Sequence, residues 1–253
     1  MKTQNNNTWI RKMAKALLTL CLFALFPVSV NAQCGIENTA FKSGEFLGYD
    51  LYFNWKFVWV KVGTASMSTI QSRYNGQPAF RSSLITRGNN QLDNMFVMRD
   101  TLLCYTDMEL APMYYRKGAR EGKRYYIDEL WYTYPKGNCH LKKHRVDADG
   151  EEHWKEEEYK DCIYDMMSIF LRARNFDAAK LKVGDKIPLP ISDAKRLTNS
   201  WLKYNGTTNL KMKNSDDKNH MPVRLDMFLS FGSAKAYLSG YKGLRNEMNS
   251  KVK

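Results

Sequence analysis

The sequence lacks the short motifs that mark many catalytic centres. It holds no Gly-x-Ser-x-Gly segment and no phosphate-binding glycine loop, and none of its four histidines stands in a motif with a serine or cysteine. These absences argue against the common acyl-transfer and nucleotide-binding classes. An enzyme is therefore the least supported function class, and no catalytic residue and no cofactor is predicted.

Linkers and repeats are also missing. No Pro-, Gly- or Ser-rich stretch divides the chain, so residues 33–253 are predicted to form a single β domain. Cysteine is too sparse for a disulfide scaffold. Either free thiols or a disulfide fits the four cysteines that follow residue 32, and three complete pairings stay open among Cys34, Cys104, Cys139 and Cys162.

The N-terminal apolar run, ALLTLCLFALF, is too short to span a bilayer. It follows Arg11, Lys12 and Lys15 and leads to a small residue, Ala32. This order is typical of a signal peptide over residues 1–32, which predicts cleavage near Ala32 and a periplasmic or secreted product. Lipoprotein acylation at Cys34 is the alternative, and the preceding glutamine disfavours it.

Basic residues exceed acidic ones. The leader holds four of the 39 basic residues and none of the 26 acidic ones, so the remaining chain carries a net charge of +9. Such a surplus suits anionic lipid head groups or acidic glycans of an envelope surface, or it forms an ordinary solvated surface. No nucleic-acid partner is expected for an exported chain.

Aromatic and β-branched residues, interrupted by Gly, Asn, Asp and Pro, predict strands along most of the chain. Asn75-Gly76 and Asp149-Gly150 predict tight hairpin turns, because both central residues of such turns need positive φ. The chain is also expected to fold back within RKGAREGKR. Long antiparallel ribbons follow.

The segment DLYFNWKFVWVKVGTASM, residues 50–67, is unusually apolar. If it is read as one strand, Trp55, Phe57 and Trp59 share one face. That face is predicted to be either a core surface or the wall of a ligand groove.

One amphipathic helix is predicted near residues 162–173, with Asp161 as N-cap. Its apolar stripe recurs at three- and four-residue spacing and comprises Ile163, Met166, Met167, Phe170 and Leu171. Such a stripe is usually core, but methionines adapt to irregular surfaces. Met166, Met167 and Phe170 are therefore candidate ligand-binding residues together with the aromatic set Trp55, Phe57 and Trp59.

Two patterns resemble metal sites, and no metal is predicted at either. His140 and His144 share a strand face, but lysines and an arginine surround them and no further ligand is evident. Asp147, Asp149 and Glu151 alternate as in a calcium loop. The sixth position of that loop requires glycine and is a glutamate here, so the hairpin turn explains these residues better.

Several segments together resemble a family of secreted bacterial proteins known as domain of unknown function 3108, particularly its Bacteroides-type members. The segments include AFKSGEFLGYDLYFNW, KVGTASM, FVMRDTLLCYTD, DMMSIFLRAR and NHMPVRLDM. The resemblance covers nearly all of residues 33–253 and implies no activity. It implies a mainly β (α+β) fold, with a curved antiparallel sheet or half-barrel and one packed amphipathic helix, similar to periplasmic lipoprotein carriers.

The chain departs from the family pattern before Asp216. Family members carry about one more hairpin there, whereas NLKMKNS and DDKNHMPVRLD abut in this chain. An internal deletion is therefore predicted, which would shorten the sheet and expose new strand edges.

Two functions remain open. The first is a non-enzymatic envelope binding module or carrier that holds an apolar, lipid-like ligand against the aromatic and methionine residues. The alternative is a structural or interaction protein of the envelope with a filled core and no small ligand. An apolar cavity of several hundred cubic ångströms would separate the two.

Overall fold

The computed structural model describes residues 34–55, 58–89, 97–177, 180–204, 218–229 and 232–248. Their main sheet contains the strands β1 Glu45–Trp55, β2 Val58–Tyr74, β3 Gln77–Gly88, β4 Met98–Thr106, β5 Pro112–Glu121, β6 Arg124–Thr133, β7 Cys139–Val146, β8 Glu152–Tyr159, β13 Arg224–Leu229 and β14 Gly232–Lys242. The helix is α1 Met166–Ala173, and short strands follow it: β9 Lys186–Pro188, β10 Ile191–Ser192, β11 Leu197–Thr198 and β12 Trp201–Lys203.

The ten long strands form one antiparallel sheet in the order β13-β14-β1-β2-β3-β4-β5-β6-β7-β8. The sheet does not close into a barrel. Bulges at three places in the ladder, opposite Gly48, Leu51 and Tyr105, increase its local twist and bend. The predicted mainly β fold is confirmed, with a large antiparallel sheet and one α-helix within the described part of the chain.

The sheet has two different faces. The helix face packs against α1 and carries most of the core, including Leu47, Met67, Leu102, Leu130 and Leu141. The opposite surface is called the outer face. A ladder of aromatic rings crosses it, with centroids 5.5–5.8 Å apart between successive members in the order Tyr74, Tyr114, Trp131 and Trp154. Such cross-strand aromatic pairs stabilise a sheet whose outer side has no second layer among the described residues.

The predicted turns are present. Asn75 and Gly76 both have positive φ, as the tight hairpin between β2 and β3 requires. β5 and β6 fold back at Gly122, and β7 and β8 fold back around Gly150.

Residues 50–67 are not one strand, and this part of the sequence interpretation is wrong. β1 ends at Trp55 and β2 begins at Val58, so the chain reverses between them. Trp59 stands opposite Asn54, whereas Trp55 stands opposite Val58. Paired residues share a face and neighbours alternate, so positions 55 and 59 fall on different faces. Residues 56 and 57, and with them Phe57, lie outside the described residues.

The close approach of two strands explains why the KVGTASM segment has a glycine at position 63. It lies where β1 and β2 shift register, and a Cβ built on it would lie 2.1 Å from the Arg87 carbonyl oxygen. Any side chain here would force the β2 and β3 backbones apart. Only glycine therefore fits this position.

The helix begins later than predicted. Asp165, not Asp161, is the N-cap, and its carboxylate accepts the Met167 and Ser168 amides at 2.8 Å each. The Ser168 hydroxyl accepts the Asp165 amide in return, which completes a capping box. Asp165 is completely buried, and this burial raises the pKa of its carboxyl to about 6.

A buried ion pair ties the end of α1 to the sheet. The Arg174 guanidinium donates to both Glu45 carboxylate oxygens at 2.6 and 2.9 Å, and both side chains are almost fully buried. Arg174 also donates to the Asn219 carbonyl and lies over the Phe41 ring. These contacts satisfy a charge that would otherwise be costly to bury.

A disulfide joins the residues just before α1 to the N-terminal segment that begins at Cys34. It joins Cys34 to Cys162 across 128 residues of sequence. Arg172 donates to the Cys34 carbonyl at 2.8 Å and so fixes the segment beside the helix. Cys104 and Cys139 are buried free thiols, and burial raises the pKa of each.

Among the described residues, no helix combines the length and apolar character needed to cross a membrane.

Removal of the disulfide is expected to lower the free energy of unfolding by roughly 2–5 kcal/mol, because a long loop in the unfolded chain is released. Cys34→Ala, Cys162→Ala and the double variant should lose equal amounts in denaturant unfolding, since each removes the same bond. Additive losses would contradict the pairing.

The intact mass of the native product should correspond to a chain that begins at Gln33. Acyl chains on Cys34 would contradict both the disulfide and the predicted leader cleavage.

Candidate binding cleft on the helix face

One row of directly opposed residues crosses the helix face, and its side chains change from apolar to charged midway. Met67, Leu84 and Leu102 come from β2, β3 and β4. Strand register continues the row with three charged residues from the next three strands: Lys117, Asp128 and Arg145. Because opposed residues share a face, these charges point to the same side as the core.

The charged half of this row forms the floor of a cleft of about 320 Å³. The start of α1 and the loop between β10 and β11 supply the other walls. The lining residues are Tyr115, Lys117, Tyr126, Asp128, Arg145, Met166, Asp193, Lys195 and Arg196.

Asp128 is the buried carboxylate of the cleft. Its side chain is only 4 % exposed and accepts a hydrogen bond from Arg145 Nη1 at 2.7 Å. Burial raises the pKa of Asp128 to about 6, although the Arg145 guanidinium opposes the shift. The pKa of the Asp128 carboxyl therefore lies well above that of a solvated aspartate.

A hydrogen-bonded chain borders the same floor. Lys117 Nζ donates to the Tyr126 hydroxyl at 2.8 Å, and this hydroxyl donates to Glu121 at 2.6 Å. The Lys117 ammonium and the Arg145 guanidinium also lie about 5 Å from the Tyr126 ring centre. These contacts hold two cations at fixed positions beside Asp128.

The cleft has an excess of positive charge. Four basic side chains line it against two carboxylates. Lys195 and Arg196 are exposed on the loop, where the Asp193 carboxylate accepts the Arg196 amide at 2.8 Å. This combination can bind an anionic group by charge-assisted hydrogen bonds, with Arg suited to phosphate or carboxylate.

The structure separates the residues predicted as a ligand site. Met166 lines the cleft and is 44 % exposed. Met167 is buried in the core, and Phe170 packs against it. Trp59 is half-exposed on the outer face beneath the Lys235 ammonium, 4.4 Å from the ring centre. The side chain of Trp55 and all of Phe57 lie outside the described residues.

The histidines considered for metal binding have other partners. His144 Nδ1 lies 2.9 Å from the Glu129 carboxylate, and His140 Nε2 lies 3.7 Å from that of Glu156. The potential ligand atoms of Asp147, Glu151 and His153 fall within 4.8 Å of one another. Asp147 also accepts backbone amides of the β7–β8 turn, so the turn itself accounts for its position.

Sequence reasoning missed Lys117, Asp128 and Arg145. A signal was present, because each occupies a position in phase with buried neighbours: Tyr115 and Ala119 in β5, Leu130 and Tyr132 in β6, and Leu141 in β7. A charge at an inward position requires a partner or a function. Which charges meet depends on strand register.

A family model described as "Protein of unknown function (DUF3108)" matches residues 48–215. The chain belongs to this family. The matched range runs from β1 through β12 and includes α1 and all the residues that line the cleft. No curated protein and no solved structure matches the chain. For this DUF3108 member, function therefore has to be argued from the site itself.

The raised pKa of Asp128 predicts a pH-dependent stability. Its native value, about 6, lies above the unfolded value of about 4, so its contribution is full below pH 4 and is lost as pH rises through 6. Relative to Asp128→Asn, the wild type should therefore lose up to about 3 kcal/mol of unfolding free energy between pH 4 and 7. Denaturant unfolding of both proteins across this range measures the difference.

Glu157→Gln is the control of opposite sign. Burial alone would raise the pKa of Glu157, but hydrogen bonds from Lys143, Lys155 and Tyr159 outweigh it and lower the pKa to about 2. Relative to this variant, the wild type should gain stability as pH rises from 2 to 5. A pH-independent difference for Asp128→Asn would show that Asp128 titrates normally.

Proposed function

We propose that this protein is a non-enzymatic binding module of the cell envelope, and that its cleft holds the anionic head group of a lipid-like ligand. The main observation behind this proposal is that four basic side chains line one cleft, namely Lys117, Arg145, Lys195 and Arg196. Lys117 and Arg145 are held in place by hydrogen bonds, so less ordering is needed when a ligand binds.

The surroundings of the cleft support an amphiphilic ligand. Met166 presents a half-exposed thioether chain at its wall. The row of opposed residues continues from the charged residues into Leu102, which is buried, and Leu84, which is partly buried. Met166 therefore offers apolar contact beside a head group that is held by the cations.

Core packing favours the second candidate, an envelope interaction protein with a filled core and no small ligand. Met167 and Leu171 are buried, and Phe170 packs against the same core. In this alternative the cleft meets an anionic group that belongs to a larger envelope partner.

An exported location fits the disulfide. Disulfides persist in oxidising compartments, and the bond engages the Cys34 sulfur that lipoprotein processing would acylate. We therefore retain the proposal of a periplasmic or secreted protein after cleavage near Ala32.

We also infer that the chain is a Bacteroides-type member with an internal deletion before Asp216. The junction lies outside the described residues. Insertion of a family-like hairpin there should raise the melting temperature and reduce aggregation, because added cross-strand pairs would cover strand edges. Equal melting temperatures and a monomeric parent chain, measured by calorimetry and size-exclusion chromatography, would contradict the deletion.

The cleft proposal predicts a head-group preference. Short-chain phosphatidylglycerol, studied below its micelle concentration, should bind more tightly than phosphatidylcholine of equal chain length. Lys195→Gln with Arg196→Gln should weaken phosphatidylglycerol binding at least tenfold, because charge-assisted hydrogen bonds are lost. Titration calorimetry measures both effects.

The matched control is Lys180→Gln with Lys182→Gln, which removes two exposed charges away from the cleft. It should bind like the wild type. Glycerol phosphate, which has no acyl chain, should bind more weakly than the lipid. Equal binding of glycerol phosphate would contradict a lipid-like ligand, and no binding of either compound would favour the filled-core alternative.

A further inference from the structure

A second basic feature lies on the outer face and is separate from the cleft. Arg87 of β3 stands directly opposite Arg99 of β4, and Arg99 stands opposite Arg120 of β5. All three are exposed. Three positively charged side chains therefore stand next to one another on adjacent strands.

The arginine row continues into a cavity of about 580 Å³. Lys61 and Thr64 of β2 line the cavity with Arg87, Asn89, Arg99 and two glycines, and no acidic residue of the described chain lines it. Asp50 pairs with Lys61 at 2.8 Å from outside the lining. The local field therefore favours an anion.

Exposed apolar groups flank the arginine row at the same end of the sheet. β2 and β6 begin where β3 and β5 end, because neighbouring strands are antiparallel. Trp59, at the start of β2, is 48 % exposed, and Tyr125, at the start of β6, is 52 % exposed. Lys235 lies over the Trp59 ring and adds a further cation.

We propose that this end of the outer face, defined by Trp59, Lys61, Arg87, Arg99, Arg120 and Tyr125, docks on an anionic lipid bilayer. Tryptophan and tyrosine prefer the boundary between head groups and acyl chains, and clustered arginines and lysines attract anionic lipid surfaces. A soluble polyanion would match the cations but would leave the exposed Trp59 ring without apolar contacts. The combination therefore favours a membrane surface.

This docking surface rests on observations independent of the cleft. Its arginines lie on the outer face, and none of its residues lines the cleft. Substitutions can therefore abolish docking on a bilayer without affecting the binding of a dispersed short-chain lipid in the cleft. The reverse also holds.

Vesicle co-sedimentation of the mature protein tests the proposal. Binding to phosphatidylglycerol–phosphatidylcholine vesicles should exceed binding to pure phosphatidylcholine vesicles and should weaken with added salt. The triple variant Arg87→Gln, Arg99→Gln, Arg120→Gln should bind about 100-fold more weakly, because each cation near an anionic surface contributes about fivefold. The same variant should retain wild-type binding of short-chain phosphatidylglycerol in solution.

The charge-matched control replaces Lys42, Lys136 and Lys182 with Gln. These three lysines are exposed, and none of them belongs to the docking surface. Because it also removes three positive charges, it reports the effect of net charge alone. An equal loss in the control and the arginine variant would overturn the proposal.

Trp59→Ser tests the apolar contribution against Trp201→Ser. Trp201 is a close match, since it is 54 % exposed and has Lys186 at 4.3 Å from its ring centre. Vesicle binding should fall at least fivefold for Trp59→Ser and stay unchanged for Trp201→Ser. Equal behaviour of the two variants would overturn membrane insertion of Trp59, and salt-sensitive binding to heparin without any binding to vesicles would replace the membrane by a soluble polyanion.

Discussion

A one-residue slip of any central strand would turn its core residues to the outer face and bring its outward charges inside. Strand register is therefore the constraint on which the other features depend. It brings Lys117, Asp128 and Arg145 into one row on the helix face, and it aligns Arg87 with Arg99 on the other. Bulges change the phase of individual strands, and the close approach at Gly63 keeps β2 and β3 in contact at one of them.

A single curved sheet needs a cover for its apolar face, and α1 supplies part of it together with Phe41 and Met221. The cover is held at both ends by unlike interactions. The Cys34–Cys162 bond lies just before the helix, and the Arg174–Glu45 pair lies just after it. The Asn219 carbonyl and the Phe41 ring also contact the buried Arg174 guanidinium and offset the cost of its burial. The ion pair therefore fixes the position of the helix and also contributes to stability. Met166, at the first helical position, is thereby held at the cleft.

The two basic features use opposite faces and differ in physical character. Around the cleft, Lys117 and Arg145 are partly buried, hydrogen-bonded and close to Asp128, which suits recognition of one small group. On the outer face the arginines are exposed and opposed to one another, which suits attraction to an extended anionic surface. A protein that collects a lipid head group at a membrane would need both. Docking on a surface requires exposed charges, whereas capture of one head group requires ordered and partly buried charges.

The sequence by itself determined most of the strands, the hairpin turns and the presence of the amphipathic helix, because these follow from local periodicity and turn chemistry. Positions such as Met166 could be proposed from the helical stripe alone. Tertiary structure decided the rest. A reversal after Trp55 separates two tryptophans that look adjacent on one strand, and pairing of distant strands selects which charges meet Asp128. Disulfide partners and cross-strand neighbours depend on the folded path of the chain, and short-range sequence pattern does not encode that path.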